Sequence, residues 1–350
     1  MSINSPHPTL SQVARKAGVG TTTVSRVING GDRVSPKTLA HVRRVIETLG
    51  YIPNPAARSL KGHRTKTIGL VVPSITDPFF ASCAEAAQAV ARANDSLLIV
   101  TVTANEPCNE LEILNVLIRH RVDGLLIVPA DSNSHALLDL LQRAAMPVVA
   151  IDRPIGNPSI ASVVADNLLG AMTATQHLIG HGCKRIVALT GEETLYTIQE
   201  RMNGYLKAIK AAHLTPIFDT SVKDYACAER AIKNLLDGPH PPDAIFALKN
   251  STTIFAFEAL QKLGVAVPQS IALLGFDDFD LASTVRPSIS VIQQPVEEIG
   301  RRAAEILFEQ LSGGSSASSP ASAKQPQQIK MTTCLIQRSS CGCTPANESK

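Results

Sequence analysis

The stretch Thr21-Thr22-Thr23-Val24-Ser25-Arg26 gathers hydroxyl side chains and one guanidinium into a short span. Such groups suit the edges of nucleic-acid bases: threonine reaches a base edge or a thymine methyl, and arginine makes paired hydrogen bonds to guanine. Ser25, Asn29, Ser35 and Thr38 suit phosphate oxygens, which position a protein without reading sequence. A second set of candidates follows apolar runs further along. Ser74 offers a hydroxyl, and Phe79 a ring that either stacks on a sugar face or packs into a core. Asp152 and Asp277 end apolar runs, where a carboxylate accepts two sugar hydroxyls or caps its own loop. Cys341-Gly342-Cys343 stands in a polar tail without a partner pair, too little for zinc, so no metal and no cofactor are expected. No catalytic residue is assigned: Gly-x-Ser-x-Gly, the Walker loop, His-Glu-x-x-His and the dinucleotide fingerprint are all missing.

The first set needs a frame, and the flanking residues supply one. Thr9 and Gln12 are spaced for a capping box, and Leu10, Val13, Ala14 and Ala17 form an apolar stripe behind it. Gly18 suits the left-handed position that ends a helix. A second helix is predicted over Thr21 to Asn29, burying Val24, Val27 and Ile28 and turning Thr21, Thr22, Ser25, Arg26 and Asn29 outward. Two short helices across a glycine turn make a helix-turn-helix. The Gly18-Val19-Gly20 run follows a helix and not a strand, which removes the dinucleotide-loop reading. Ser35 then caps a third helix that starts on Pro36, carries Leu39, Val42, Val45, Ile46 and Leu49 inward and ends at Gly50.

Charge follows the same division. Residues 1–66 hold 11 Lys and Arg against Asp32 and Glu47, a net +9, so the remainder of this +3 chain carries −6. A basic head on a mildly acidic body points to a polyanionic partner, and charge alone leaves its identity open. At 350 residues and 44% hydrophobic content, the chain fits two or three cored domains. No apolar run is long enough to span a membrane, the first eight residues lack a signal-peptide core, and the seven scattered cysteines suit reduced thiols. A cytoplasmic protein with no membrane partner is expected.

From Thr67 onward, apolar runs rich in β-branched residues alternate with helical patterns. Runs at 68–73, 97–103, 124–129 and 148–152, then 162–166, 186–191, 217–221, 244–248 and 271–277, read as buried parallel strands. The fold class is therefore an α-helical head plus an α/β core of two doubly wound lobes. A helix over about 296–311 is expected to return to the first lobe. Ligands of such lobes bind in the cleft at the carboxyl ends of the strands, where Ser74, Phe79, Asp152 and Asp277 fall. Residues 312–328, rich in Ser, Gly, Pro, Ala and Gln, read as a flexible insertion, and 330–337 as a last strand.

Thr9-Leu10-Ser11-Gln12-Val13-Ala14, Ala17-Gly18-Val19, Thr23-Val24-Ser25-Arg26-Val27-Ile28-Asn29 and Gly50-Tyr51-Ile52-Pro53-Asn54 together resemble the head of the lactose-repressor/galactose-repressor family of bacterial regulators. The body in turn resembles periplasmic sugar-binding proteins. The resemblance implies a homodimer reading double-stranded operator DNA, most often as a repressor, with a small-molecule effector that alters the grip. It also implies a hinge helix in Asn54–Leu60, with Ala57 and Leu60 at the minor groove and Leu60 as the wedge that kinks the duplex. Arg201 matches the family's effector-binding arginine, Tyr225 falls where the family has an aromatic, and Arg338-Ser339 fits its ending. His181 and Cys183 align to a helix-to-strand turn.

Lys249-Asn250 departs from the family's usual Asn-Asp, which places an ammonium beside Arg201. The expectation is an effector with a carboxylate, a sugar acid such as gluconate or 2-ketogluconate; a neutral sugar or nucleobase is the alternative. A sugar-binding transport component is the competing class, disfavoured by the head and the missing signal segment. The expected domains are a head at 1–53, hinge and linker at 54–66, core at 67–340 and tail at 341–350. Lobe one takes about 67–160 plus 293–325, and lobe two about 161–292 plus 326–340.

Overall fold

The computed structural model describes residues 8–28, 30, 33–51, 64–313 and 328–343. The chain divides into two compact units, Met1–Thr65 and Lys66–Lys350. The first unit holds α1 (Leu10–Ala17), α2 (Thr21–Ile28) and α3 (Pro36–Leu49). The capping box forms as the spacing predicts: Thr9 Oγ1 accepts from Gln12 N–H at 3.3 Å, and Gln12 Oε1 accepts from Thr9 N–H at 2.6 Å. Gly18 ends α1 at φ 64°, a conformation that costs a residue without a Cβ little. Val13, Ala14, Ala17, Val24, Val27, Val42 and Val45 form one small core, with Ile28 only half-buried at its rim.

The second unit begins with β1 (Thr67–Val72), α4 (Pro78–Ala93), β2 (Leu97–Val102), α5 (Pro107–Arg119), β3 (Gly124–Ile127), α6 (His135–Ala144), β4 (Val148–Ile151) and β5 (Ala161–Ala165). It continues with α7 (Asn167–Gly180), β6 (Ile186–Leu189), α8 (Tyr196–Ala211), β7 (Ile217–Asp219), α9 (Tyr225–Asp237), β8 (Ala244–Ala247), α10 (Asn250–Lys262) and β9 (Ala272–Phe276). It closes with β10 (Ser290–Gln293), α11 (Val296–Gly313), β11 (Gln328–Met331) and β12 (Cys334–Ile336). Two six-stranded sheets result, ordered β11-β5-β4-β3-β1-β2 and β12-β10-β9-β8-β6-β7. The orders correspond strand for strand, and every pairing is parallel except β10 with β12. Strands such as β3, β4, β5, β6 and β8 are buried along their whole length, which is why their sequences read as unbroken apolar runs.

The lobe boundaries differ from those expected. β5 pairs in parallel with β4, so 161–165 belongs to the first lobe and the crossing follows Ala165. No helix separates β4 from β5, which hides the pairing from any reading based on strand–helix alternation. The single last strand is in fact two: β11 joins β5 in the first sheet, and β12 joins β10 in the second. The chain thus passes between lobes near Asp166, near Gln294 and at Thr332-Thr333. α11 returns to the first lobe as expected, burying Ile299, Ala303, Ala304, Leu307 and Leu311 against Phe79, Phe80, Cys83 and Ala87. In the second lobe Tyr205 of α8 ties two strands together, donating to the Ile186 carbonyl (2.8 Å) and accepting from Ile217 N–H (2.9 Å).

Candidate nucleic-acid interface and effector cleft

In the head, α2 turns Thr21, Thr22 and Arg26 to solvent while Val24 and Val27 face the core. Ser25 is half-buried on the same helix. None of the three head helices carries an acidic residue in its first turn, so no carboxylate offsets the positive end of the helix there. Ser35 and Thr38 sit at the start of α3 and bond each other: Ser35 Oγ accepts from Thr38 N–H at 3.2 Å and lies 2.8 Å from Thr38 Oγ1. Asn29, Ala57 and Leu60 lie outside the described residues, as do the predicted hinge helix and most of the low-complexity insertion.

In the core, a cavity of about 400 Å³ opens between the lobes at the carboxyl ends of the strands. Ser74, Phe79, Asp152, Arg201, Lys249 and Asp277 all line it, so the structure brings six of the seven candidate effector residues to one cavity. Asp152 and Asp277 follow the corresponding strands β4 and β9, and both adopt left-handed backbone, at φ 65° and 73°. Such geometry is uncommon outside glycine and is most tolerated by Asp and Asn; it gathers at functional sites. Burial pushes the Asp152 carboxyl above the ordinary carboxylate range, against the pull of Arg153 and Arg201.

Arg201, only 3% exposed, is held on every side. Its Nε donates to Asn167 Oδ1 (2.8 Å), and one terminal nitrogen donates to the Leu248 carbonyl (2.7 Å) and Asp277 Oδ2 (3.1 Å). The guanidinium carbon lies 3.7 Å from the centre of the Phe276 ring. Asp277 Oδ1 accepts from Gln294, so the network touches Asn167 and Gln294, residues at two of the three crossings between lobes. Asn250 reaches across the cleft from the second lobe to Asp77 Oδ1 at 3.3 Å. Phe79 packs into the first-lobe core, as its second reading has it, and also lines the cavity.

Three expectations need correction. Tyr225 does not line the cavity: it begins α9, packs on the core of the second lobe and lies 5.5 Å from Lys262 Nζ. Lys249 is not a free cation beside Arg201, because its Nζ pairs with Glu192 Oε2 at 3.1 Å. Arg201 is likewise paired with Asp277, so the basis for a carboxylate-bearing effector is gone. Finally, the Cys341-Gly342-Cys343 run does have partners, His177 and His181.

The sequence reading missed Arg153 and Glu192. Arg153 is buried, pairs with Asp152 at 3.3 Å and donates to Asn105 Oδ1 and the Pro129 carbonyl. Its position directly after Asp152 at a strand end was the available signal. Glu192 carried none, since it sits in a loop 57 residues from the lysine it neutralises. Arg338 turns out to be structural, gripping Asp278 with both terminal nitrogens at 2.9 and 2.7 Å.

A basic helix-turn-helix followed in the chain by a two-lobed, cleft-bearing α/β core defines a class: transcription regulators that bind DNA and answer to a small molecule. Residues 9–54 match the family described as bacterial regulatory proteins, lacI family, and residues 65–339 match the periplasmic binding proteins and sugar binding domain of the LacI family. The chain belongs to the LacI family of DNA-binding transcriptional regulators. It is 32% identical over 306 residues to the HTH-type transcriptional repressor PurR of Aliivibrio salmonicida, covering 87% of this chain and 92% of that protein. It is 33% identical over 345 residues to the HTH-type transcriptional regulator CelR of Thermobifida fusca, covering 95% and 98%. A CelR–cellobiose complex superposes with a TM-score of 0.69 at 31% identity, over 95% of this chain and 99% of that one. The lac repressor dimer bound to operator and the anti-inducer ONPF shares the fold, with a TM-score of 0.83 at 22% identity over 96% and 99%. Among the described residues no helix is long and apolar enough to cross a membrane.

Proposed function

We propose that this regulator is a homodimeric repressor that grips a near-palindromic operator through its two heads and takes a neutral sugar in the core cleft. Thr21, Thr22 and Arg26 read base edges in the major groove, Ser25, Asn29, Ser35 and Thr38 meet phosphates, and Ala57 and Leu60 enter the minor groove. The outward placement of Thr21, Thr22 and Arg26 on α2 supports the first of these roles. The edge strand β2 leaves Leu97 and Val100 exposed, an apolar edge that a second copy would cover.

One observation carries the effector reading: the cations of the cleft are already matched. Four carboxylates line it (Asp77, Asp152, Glu192, Asp277) against three cations (Arg153, Arg201, Lys249). A second negative charge from the ligand would have to displace an existing partner, whereas sugar hydroxyls both donate to carboxylates and accept from guanidinium. CelR, whose structure holds cellobiose, is a relative with a neutral sugar. Ligand contacts to Asp277 and Arg201 act on Asn167 and Gln294 at the crossings, and so bind open and closed lobes with different affinity. That difference is the whole of any effect on DNA.

Calorimetric titration of the full chain with a panel of neutral sugars and a panel of sugar acids tests the reading. A neutral sugar is expected to bind, and Asp277→Asn to weaken it. Binding confined to sugar acids and abolished by Lys249→Ala would reverse the conclusion.

A further inference from the structure

We propose that His177, His181, Cys341 and Cys343 form a closed four-ligand zinc site that fastens the segment after β12 to α7 of the second lobe. It shares no residue with the cleft. His177 lies in the last turn of α7 and His181 is its C-cap, so the four-residue spacing stacks both rings on one side, with centroids 4.7 Å apart. Cys341 and Cys343 come from the segment after β12. Gly342 between them sits at φ 94°, where any other residue would be strained.

The donor atoms converge. Cys341 Sγ lies 3.2 Å from His177 Nε2, and Cys343 Sγ lies 3.4 Å from that nitrogen and 3.2 Å from His181 Nε2. The two sulfurs are 3.3 Å apart, and all four donor atoms fall within 4.8 Å of one another. Donors bound tetrahedrally to zinc at about 2.0–2.3 Å stand roughly 3.3–3.8 Å apart, so the four separations above already match, and the widest pair has at most about 1 Å to close.

Contacts outside the set hold it in place. Arg338 forks onto Asp278, the Ser340 carbonyl accepts from Leu273 N–H at 2.8 Å, and Ser340 Oγ accepts from Ser290 N–H at 2.9 Å. Ser290 Oγ donates to Cys341 Sγ at 3.0 Å, the kind of outer hydrogen bond that steadies a ligating thiolate. Two thiolates and two imidazoles select a borderline-soft ion over magnesium or calcium, which take oxygen. Four protein ligands leave no open position, so the ion is structural. Binding displaces one proton from each thiol into solvent.

The test is elemental analysis of the full-length chain purified under reducing conditions without chelator, with melting curves before and after zinc removal. About one zinc per chain is expected. Cobalt in its place should give the thiolate charge-transfer band and intense visible bands of a tetrahedral S2N2 set. Cys343→Ser should lower retained zinc at least about tenfold under a competing chelator. His181→Gln, at an exposed position that leaves the fold intact, should do the same. Zinc should raise the melting temperature of the stripped wild type and not that of either variant. Zinc-free protein whose melting ignores added zinc, zinc undiminished in both variants, or a Cys341–Cys343 disulfide in place of metal would each overturn the assignment.

Discussion

Single side chains decide more here than their number suggests. Tyr205→Phe strips one hydroxyl from the second-lobe core and leaves the Ile186 carbonyl and Ile217 N–H short of a partner. Denaturant unfolding of the core should show a loss of about 1–3 kcal/mol. Glu110 of α5 gives a pH test. It is buried, accepts from Ala130 N–H at 2.8 Å, and burial holds its carboxyl above the ordinary carboxylate range. The folded state therefore binds a proton more tightly than the unfolded chain, and this favours folding at low pH. The advantage fades as pH climbs from the ordinary Glu value of about 4.3 through the raised one. Glu110→Gln should flatten that part of the stability–pH curve and be no less stable than wild type at neutral pH; an unchanged slope would contradict the cause given. Residue-scale legibility was uneven for a physical reason. Ser74, Asp152 and Asp277 were readable because strand ends are marked by where apolar runs stop. The Lys249–Glu192 pair was not, because no local pattern says which loop faces a given lysine. Tyr225 was placed by resemblance of residue type, which carries no direction for the side chain.

Elements were far more legible than their partners. The head could be read almost whole, since capping residues, glycine stops and a helical apolar period all agree over Thr9 to Gly50. The parallel strands announced themselves as buried apolar runs, yet the assignment of β5 and β11 to the first sheet depends on pairing that no periodicity records. The same limit hid the cluster of His177 with Cys341, which stand 164 residues apart. The helical spacing of His177 and His181, set beside a Cys-x-Cys, was the signal available. Packing of α7 on α8 supplies a prediction at this scale. A Cβ on Gly204 would come within 2.2 Å of the Leu168 carbonyl oxygen and 2.9 Å of the Ala171 side chain. Gly204→Ala should cost about 1–3 kcal/mol in core stability, measured by denaturant unfolding, while leaving the separate head unit folded.

At the level of the whole molecule, charge and ligand chemistry are divided between the two units. In the function proposed, affinity for DNA falls to the basic residues of 1–66 and selectivity for a metabolite to the cleft of the second unit. Affinity for duplex DNA should fall steeply with salt, with each neutralised phosphate adding about 0.9 to the log–log slope. The most direct test is selection of duplexes by the full chain from a randomised pool, followed by affinity measurements on the enriched sequence with wild type and Arg26→Ala. The expected result is a motif with two-fold symmetry and a loss of roughly 1–3 kcal/mol for Arg26→Ala, relaxed at the base pair that it reads. Failure to enrich any motif, or equal affinity and selectivity in Arg26→Ala, would contradict the account.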